Sequence, residues 1–567
     1  MTSRSGAGHL VAALRENGAR CVFGVPGTQT VPIFEALRTS GLRTVLATSE
    51  VSAAFMAGGW ARVSGEAGVC LTIPGPGFIW SLPGIAEALL DSVPLLVITV
   101  APPDGPGCRF RQQEIAQSAV GGALVKEIVE VSQAHEVAPA TRAALAATLR
   151  NEPGPVLLQL AGSSLTAESD PADSSTDQAV PPMPDFGELR RRVAAARRPV
   201  LFVGQGVRPC SEELRQLAEH LGAPVITTPA GRGTLPEDHP LAMGFDALAG
   251  SVGEANAFLA EADLVLVLGA KLGHNGTAGF GLRLAPEHLV HIDASRDVPG
   301  ANYPASLALV AQVRDALSAL LAPPPSRSAW PPDRLSAWRA RLRTPAASWL
   351  EPRVSGSPER DAPGFFAGLR RALPREAVLV LDSGLHQIMA RRHFEVLSPG
   401  GLLFPSDLQS MGFGVPSAIG ARLSNPSRPI VALVGDGGFA MTGFELLTAV
   451  REGVSLVVIV FVDGVLGQIR MHQLRDYGAP HAVDLGRFDL ELIANSLGAG
   501  YLEADADIEP IVREALSREG VTVIGVPVGD SPRIRRAAGI ARLREGFRRA
   551  AGPTLIRWIK WILKRGA

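Results

Sequence analysis

Two aspartates stand where a divalent cation is easily held. The run PIVALV leads into Gly435-Asp436-Gly437-Gly438, and the run SLVVIVFV leads into Asp463-Gly464. Continuous branched apolar runs suit strands buried on both faces of a parallel sheet. Consecutive parallel strands joined by a right-handed crossover end side by side, and ligands of open α/β sheets bind outside those carboxyl ends. Glycines there let backbone N–H groups approach a diphosphate, and two hard carboxylates plus phosphate oxygens suit Mg2+. Thr442 and Glu445 have capping-box spacing and are expected to open the intervening helix. A lone GDG would read as a plain tight turn. The second strand-end aspartate puts the metal reading on an equal footing.

Other candidates are weaker on their residues alone. The expected strand RTVLAT leads to Ser49-Glu50 and the helical pattern VSAAFMAGGWAR. Read locally, Glu50 is an acid near a helix N-terminus, an interaction of about 0.3–1 kcal/mol. Met411, in SMGFGVPSAIGA, reads by periodicity as a core methionine. His386, in Asp382-Ser383-Gly384-Leu385-His386-Gln387, reads as a surface loop residue, and His472 reads equally well as an ordinary polar helix residue.

The elements that must position these groups follow from the whole chain. At 567 residues it is too long for one core. Charged residues at 19% and apolar residues at 46% mark a globular protein, and a formal net charge of −1 offers no global case for nucleic acid. The charge is uneven: residues 531–567 hold eleven Lys/Arg and one acid, against 43 basic and 54 acidic residues elsewhere. Linker composition at Ser164–Asp185 and Ala322–Gly364 separates three blocks, each alternating apolar runs with helical patterns. The expected architecture is α/β: three Rossmann-like domains with parallel sheets at 1–165, 186–322 and 363–530, then a basic amphipathic tail at 531–567. Cys21, Cys70, Cys108 and Cys210 fit neither a metal cluster nor a disulfide framework, and no run reaches membrane-span length, so a cytoplasmic protein is expected.

The stretch Gly435–Gly467 resembles the thiamine diphosphate signature, Gly-Asp-Gly followed after about 25 residues by Asn-Asn. CVFGVPG (ending on Gly27), TSEVSAAFMAGGWAR and TIPGPGFIWSLPGIAEALLDSVPLLVIT resemble the pyrimidine-binding domain of the acetolactate synthase-like and 2-oxo acid decarboxylase family. The resemblance implies thiamine diphosphate and Mg2+ as cofactors. It makes Asp436, Asp463 and the carbonyl of Val465 metal ligands. It makes Gly27, Gly384, His386, Met411, Gly435, Gly437 and Gly438 cofactor contacts, Met411 bending the cofactor. Glu50 becomes the catalytic acid that activates the aminopyrimidine. Gln113, Ile469 and His472 become substrate-side residues. The chain departs from the pattern at Ser49 (family His), Gln112 (often aromatic), Val462 and Asp463 (both Asn) and His472 (Trp).

The activity implied by the resemblance is that of a lyase or carboligase. Such an enzyme decarboxylates a 2-oxo acid and protonates the resulting enamine or ligates it to a second carbonyl, working as a homodimer or homotetramer. FAD-binding relatives carry Gly-Ala-Arg in the central domain; here it reads Gly269-Ala270-Lys271-Leu272-Gly273-His274. Lysine does not replace arginine conservatively at a nucleotide contact, so a structural central domain is expected and FAD is doubted. The tail's apolar Leu555, Ile556, Ile559, Ile562 and Leu563, with Trp558 and Trp561, oppose Arg557, Lys560 and Lys564. Peripheral membrane contact and packing on the protein's own oligomer are equally consistent with that pattern. A membrane-associated flavin-linked oxidase and a non-catalytic homologue are the alternatives.

Overall fold

Apolar runs bounded by glycine, proline and polar residues become the strands of three sheets. The computed structural model describes residues 4–101, 111–170, 184–244, 251–322, 330–344, 353–354, 361–504, 507–529, 536 and 538–543. The first sheet contains β1 (Cys21–Gly24), β2 (Arg43–Leu46), β3 (Gly68–Leu71), β4 (Leu95–Ala101), β5 (Glu127–Val131) and β6 (Pro155–Ala161), in the order β2-β1-β3-β4-β6-β5. The second contains β7 (Pro199–Val203), β8 (Val225–Thr227), β9 (Leu264–Leu268), β10 (Leu289–Asp293) and β11 (Leu307–Val310), in the order β8-β7-β9-β10-β11. The third contains β12 (Arg353–Val354), β13 (Val378–Leu381), β14 (Leu402–Leu403), β15 (Ile430–Gly435), β16 (Leu456–Val462), β17 (Gly500–Glu503) and β18 (Val521–Gly529). Its order is β12-β18-β16-β15-β13-β14, with β17 also on β18.

The fold is three α/β units, as expected, and the described ladders of these sheets are parallel except β12 on β18. The strands that the sequence pattern does not reveal are mostly marginal. β5 is a mostly unburied sheet edge, β11 is an edge with alternating exposure, and β14 has two residues. Their side chains do not form the continuous apolar run that marks a doubly covered strand.

Two expectations need correction. The stretch from Ala322 to Gly364 is not all linker, because Pro332–Arg343 is a helix. Trp330 and Trp338 pack there on Phe258 with ring centroids 5.7 Å away, and the Trp330 indole donates to the Pro199 carbonyl at 2.9 Å. The helix after β15 opens at Asp436, with Gly435 as its N-cap, and not at a Thr442–Glu445 capping box. Tertiary partners claim both side chains. Thr442 Oγ1 donates to the Gly412 carbonyl at 2.9 Å, and Glu445 accepts from Thr48 N at 2.9 Å and from Thr448 Oγ1 at 2.8 Å.

Six helices carry or flank the candidate residues: α1 (Glu50–Ser64), α2 (Pro76–Leu90), α3 (Leu385–His393), α4 (Gly414–Ser424), α5 (Asp436–Thr442) and α6 (Gly467–Tyr477). α1 and α4 cross closely between the first and third sheets. A Cβ on Gly59 would strike the Ser417 carbonyl, and one on Gly420 would strike the Met56 carbonyl. Phe55 and Phe413 meet edge to face at 5.5 Å in the same core. In the tail, the described residues 538–543 are helical, and Arg542 Nε donates to the Gly478 carbonyl at 2.9 Å. The tryptophan-bearing amphipathic segment from Leu555 lies outside the described residues.

The helix crossing yields a signed prediction. Alanine favours a helix over glycine by about 1 kcal/mol, but overpacking against backbone costs about 1–3 kcal/mol and cannot relax by a rotamer change. Gly420→Ala is therefore expected to lower the melting temperature by several degrees. An unchanged or raised melting temperature would show that the helices have room to part.

Candidate functional site

Chemistry gathers at the carboxyl edges of the first and third sheets. β15 and β16 are neighbours, pairing Gly435 with Phe461, so Asp436 and Asp463 emerge side by side. The Asp436 carboxylate is buried and binds the second loop directly. Oδ2 accepts from Asp463 N at 3.0 Å and Gly464 N at 2.6 Å, and Oδ1 accepts from Gly437 N at 2.8 Å. Burial pushes its pKa up, and these backbone N–H groups oppose the shift. Asp463 is exposed, and its Oδ1 accepts from Val465 N at 3.1 Å, drawing the loop back on itself. Asp436, Asp463 and the Val465 backbone thus share one short turn. Among the described residues no three His, Cys, Asp or Glu side chains form a metal cluster, so backbone and ligand oxygens must complete any cation site here.

The surrounding surface is bare backbone. A Cβ on Gly437 would come within 3.3 Å of the Met411 methyl, so Met411 lies over the loop. Gly435 faces the His386 ring, and Gly384 takes φ +144° as N-cap of α3. His386 is buried with its edge on Phe461, and its Nε2 has no hydrogen-bond partner. Burial lowers its pKa to about 4, against a hydrogen bond with the Asp382 backbone, so the ring is neutral near pH 7. A buried orphan nitrogen beside glycine-lined backbone is costly unless a polar ligand satisfies it. That donor set fits a diphosphate.

Asp382 is a site residue that the sequence pattern does not single out. It follows β13, the neighbour of β15, and is completely buried. Its carboxylate accepts from Ser383 N at 2.7 Å, Gly412 N at 3.0 Å and Gly414 N at 2.9 Å, fixing the turn that carries Met411. The signal that could have found it is the one used for Asp436: an aspartate closing an apolar run.

The first sheet builds a second cluster. Glu50 opens α1, with Ser49 as N-cap accepting from Ser52 N. Its side chain is 8% exposed and lies beside Gly77, where a Cβ would be 2.7 Å from Oε1. Gly27 packs on Ile73. Gln113 takes φ +62° beside Gly75, and its Oε1 accepts from Gln29 Nε2 at 2.7 Å. Buried Gln117, also not singled out from sequence, accepts from Gly75 N at 2.8 Å. On α6, Ile469 is 48% exposed, and His472 Nδ1 is 3.2 Å from Arg475 Nη2. Asp463, Val465 and Met471 instead line a cavity of about 230 Å3. No described hydrogen bond or ion pair joins Glu50 to the Asp436 loop within one chain.

Parallel α/β units with polar groups at neighbouring strand ends define an enzyme of the class that seats an anionic cofactor at sheet edges. Residues 4–120 match the description "Thiamine pyrophosphate enzyme, N-terminal TPP binding domain". Residues 187–320 match its "central domain", and 382–526 its "C-terminal TPP binding domain". The chain belongs to this thiamine pyrophosphate enzyme family, and it is a thiamine diphosphate-dependent enzyme. A Pseudomonas aeruginosa protein named "Probable 2-ketoarginine decarboxylase AruI" is 34% identical over 91% of this chain and 92% of its own. A Methanocaldococcus jannaschii protein named "Probable acetolactate synthase large subunit" is 30% identical over 89% of this chain and 88% of its own. The Escherichia coli acetolactate synthase isozyme 1 large subunit is 29% identical over 92% and 94%.

Asp382 carries a pH prediction. Burial raises its pKa from 3.8 to about 6, against its three backbone hydrogen bonds. A raised folded-state value favours the protonated form, so its stabilisation is complete below 3.8 and is lost as pH rises through about 6. The span is on the order of 3 kcal/mol. Asp382→Asn should flatten this part of the stability curve. A wild-type-minus-variant difference constant from pH 4 to 6 would contradict the assignment.

Proposed function

We propose that this enzyme is a thiamine diphosphate- and Mg2+-dependent lyase or carboligase that removes CO2 from a 2-oxo acid. The remaining fragment is protonated or joined to a second carbonyl. The observation that carries this reading is the grip of the Asp436 carboxylate on the Asp463-Gly464 backbone, under the Met411 side chain. Asp436, Asp463 and the Val465 carbonyl would hold the cation. Asp463 adds a negative charge where the family has asparagine, which a divalent ion offsets. Gly384, His386, Gly435, Gly437 and Gly438 would seat the diphosphate, and Gly27 and Met411 the rings. Bound there, thiamine diphosphate supplies a carbon nucleophile that also accepts the electron pair released with CO2.

The chain's own residues would do the rest. Glu50 holds and returns a proton at the aminopyrimidine, as a buried carboxylate near an aromatic base can. Gln113, Ile469 and His472 would face the substrate, with His472 smaller and more polar than the family tryptophan. Since Glu50 and Asp436 lie on separate sheet edges, a homodimer or homotetramer would join the first unit of one copy to the third unit of another. Exposed Trp80, Met441 and Phe444 support such a cover, at 62%, 62% and 61% exposure. We take the units as 1–165, 186–322 and 363–530, followed by the tail. No helix among the described residues is long and apolar enough to cross a membrane. We place the enzyme in the cytoplasm, with any peripheral membrane contact confined to the tail.

Replacing Glu50 with Gln should lower cofactor-dependent decarboxylation by about 10²–10⁴-fold. Product analysis over a panel of 2-oxo acids, with and without aldehyde acceptors, gives the readout. Undiminished turnover would remove the role assigned to Glu50.

One observation keeps the flavin-linked reading in view. A cavity of about 340 Å3 opens between the first and second units, lined by Gly204, Gly206, Gly269 and Lys271. Against a bound FAD, the Lys271 ammonium is already committed to Glu152 at 2.8 Å and to the Leu90 carbonyl at 2.9 Å. We therefore read this unit as structural. Purified active protein should be colourless, and stoichiometric flavin absorbance near 450 nm, on the order of one per chain, would reverse that reading.

A further inference from the structure

Met411 sits in an irregular stretch whose backbone N–H groups need partners. On one side Asp382 takes Gly412 N and Gly414 N. On the other side the partner comes from a different unit. Glu87, in the last turn of α2, is 1% exposed, and its Oε2 accepts from Ser410 N at 3.3 Å. Its Oε1 is buried with no hydrogen-bond partner. One turn further on, buried Asp91 pairs with Arg62 at 2.7 Å and accepts from Ser406 N at 3.3 Å and from the Ser406 hydroxyl. The Arg62 guanidinium in turn covers the Phe413 ring at 5.3 Å. Residues 406–413 are therefore moored to the first unit by two carboxylates and an arginine.

A buried carboxylate with one unpartnered oxygen is an expensive way to hold the backbone and side chain of one serine. A neutral acceptor would hold Ser410 at lower cost, so the ionisable group asks for an explanation beyond packing. Burial, and then repulsion from Asp91, raise the Glu87 pKa to about 7, while Arg62 and Ser410 oppose the shift. The charged groups acting on it are Asp91 on its own helix and Arg62 on α1, and Asp407 on the moored stretch acts on Asp91 in turn. Arg208 and Lys271 stand beyond them in the second unit.

We propose that Glu87 is a positioning residue that fixes Met411 from across the unit boundary, and that ionisation of its carboxylate tightens this hold. The inference rests on the role proposed above for Met411. In the ionised state the carboxylate makes a charge-assisted bond to Ser410 N, which is stronger than a neutral one. On protonation that bond weakens and the Met411 turn loosens over Gly437. Cofactor affinity then rises with pH through the neutral range.

Calorimetry of thiamine diphosphate with Mg2+ on the full-length protein tests this, comparing wild type with Glu87→Gln from pH 6 to 8. Titration of the cofactor and of Asp382 is common to both proteins, so the ratio of their affinities isolates Glu87. Wild type is expected to bind about tenfold more tightly at pH 8, with the ratio approaching one at pH 6. A ratio that does not change with pH overturns the proposal, because a merely structural role would weaken binding equally throughout. Should Glu87→Gln not fold, Glu87→Ala removes the acceptor altogether and should show a deficit that likewise grows from pH 6 to pH 8. Met411→Ala separates the two readings. If it leaves affinity unchanged, the role of Met411 fails. If it weakens binding and the pH-dependent ratio persists in its background, Glu87 does not act through Met411.

Discussion

The crossing of α1 and α4 sets the geometry on which everything else relies. Each helix turns a glycine toward the other's backbone, Gly59 to Ser417 and Gly420 to Met56, so no side chain separates the axes. The contact is short range and leaves almost no sliding freedom, because a shift of either helix brings a Cβ or a carbonyl into the other. α1 starts at Glu50, and α4 starts three residues after Met411. The first and third units are thereby set in one register. The shared core around Phe55, Phe413 and Ile419 supplies the apolar burial that keeps them there.

Within that frame, carboxylates do the work that regular secondary structure does elsewhere. The loops at the strand ends have no ladder for their N–H groups, and a buried unpaired N–H is costly. Asp382 collects three of them, Asp436 collects three, and Glu445 reaches Thr48 across 397 residues of sequence. Burial raises the pKa of both Asp382 and Asp436, which is the cost of using charged acceptors inside the protein. The return is directional. A carboxylate can organise a turn that glycines have left without side chains, and so leaves backbone open to a ligand.

The division between what is legible in the sequence and what is not follows the range of the interactions. β15, β16 and the aspartates after them are readable because a strand buried on both faces must be an unbroken apolar run. The adjacency of Asp436 and Asp463 follows from the tendency of consecutive strands to be sheet neighbours. Thr442 and Glu445 mislead because local capping competes with distant partners, here Gly412 and Thr48, that leave no trace in spacing. Asp382 is visible as an aspartate closing an apolar run, but two of the three groups it satisfies lie 30 and 32 residues along the chain, so its role is not. Glu87 looks like one more polar residue of a helix, and its burial and its bond to Ser410 are visible only in the structure. Glu50 is a third case. Its burial is visible in the structure, yet its proposed chemistry comes from resemblance.

The second unit bears on the site without touching it. Buried Arg232 pairs with Glu237 at 2.6 Å and also donates to the carbonyls of Arg391 at 2.8 Å and Phe394 at 2.6 Å, at the C-terminal end of α3. Glu237 accepts from Val396 N at 2.8 Å just beyond. A guanidinium at a helix C-terminus satisfies carbonyls that have no intrahelical partner and complements the negative end of the dipole. The opposite end of α3 is capped by Gly384 at positive φ, and the missing side chains of Gly384 and Gly435 leave room for the His386 ring. α3 is thus clamped where its carbonyls would otherwise be orphaned, and bare glycine backbone surrounds its other end. A buried ion pair is a poor source of net stability, but removing one partner strands the other charge, at about 3–5 kcal/mol. The pair is better understood as a device that fixes one orientation of α3. On that argument the second unit serves the site by aiming a helix, whether or not its own cavity ever holds a ligand.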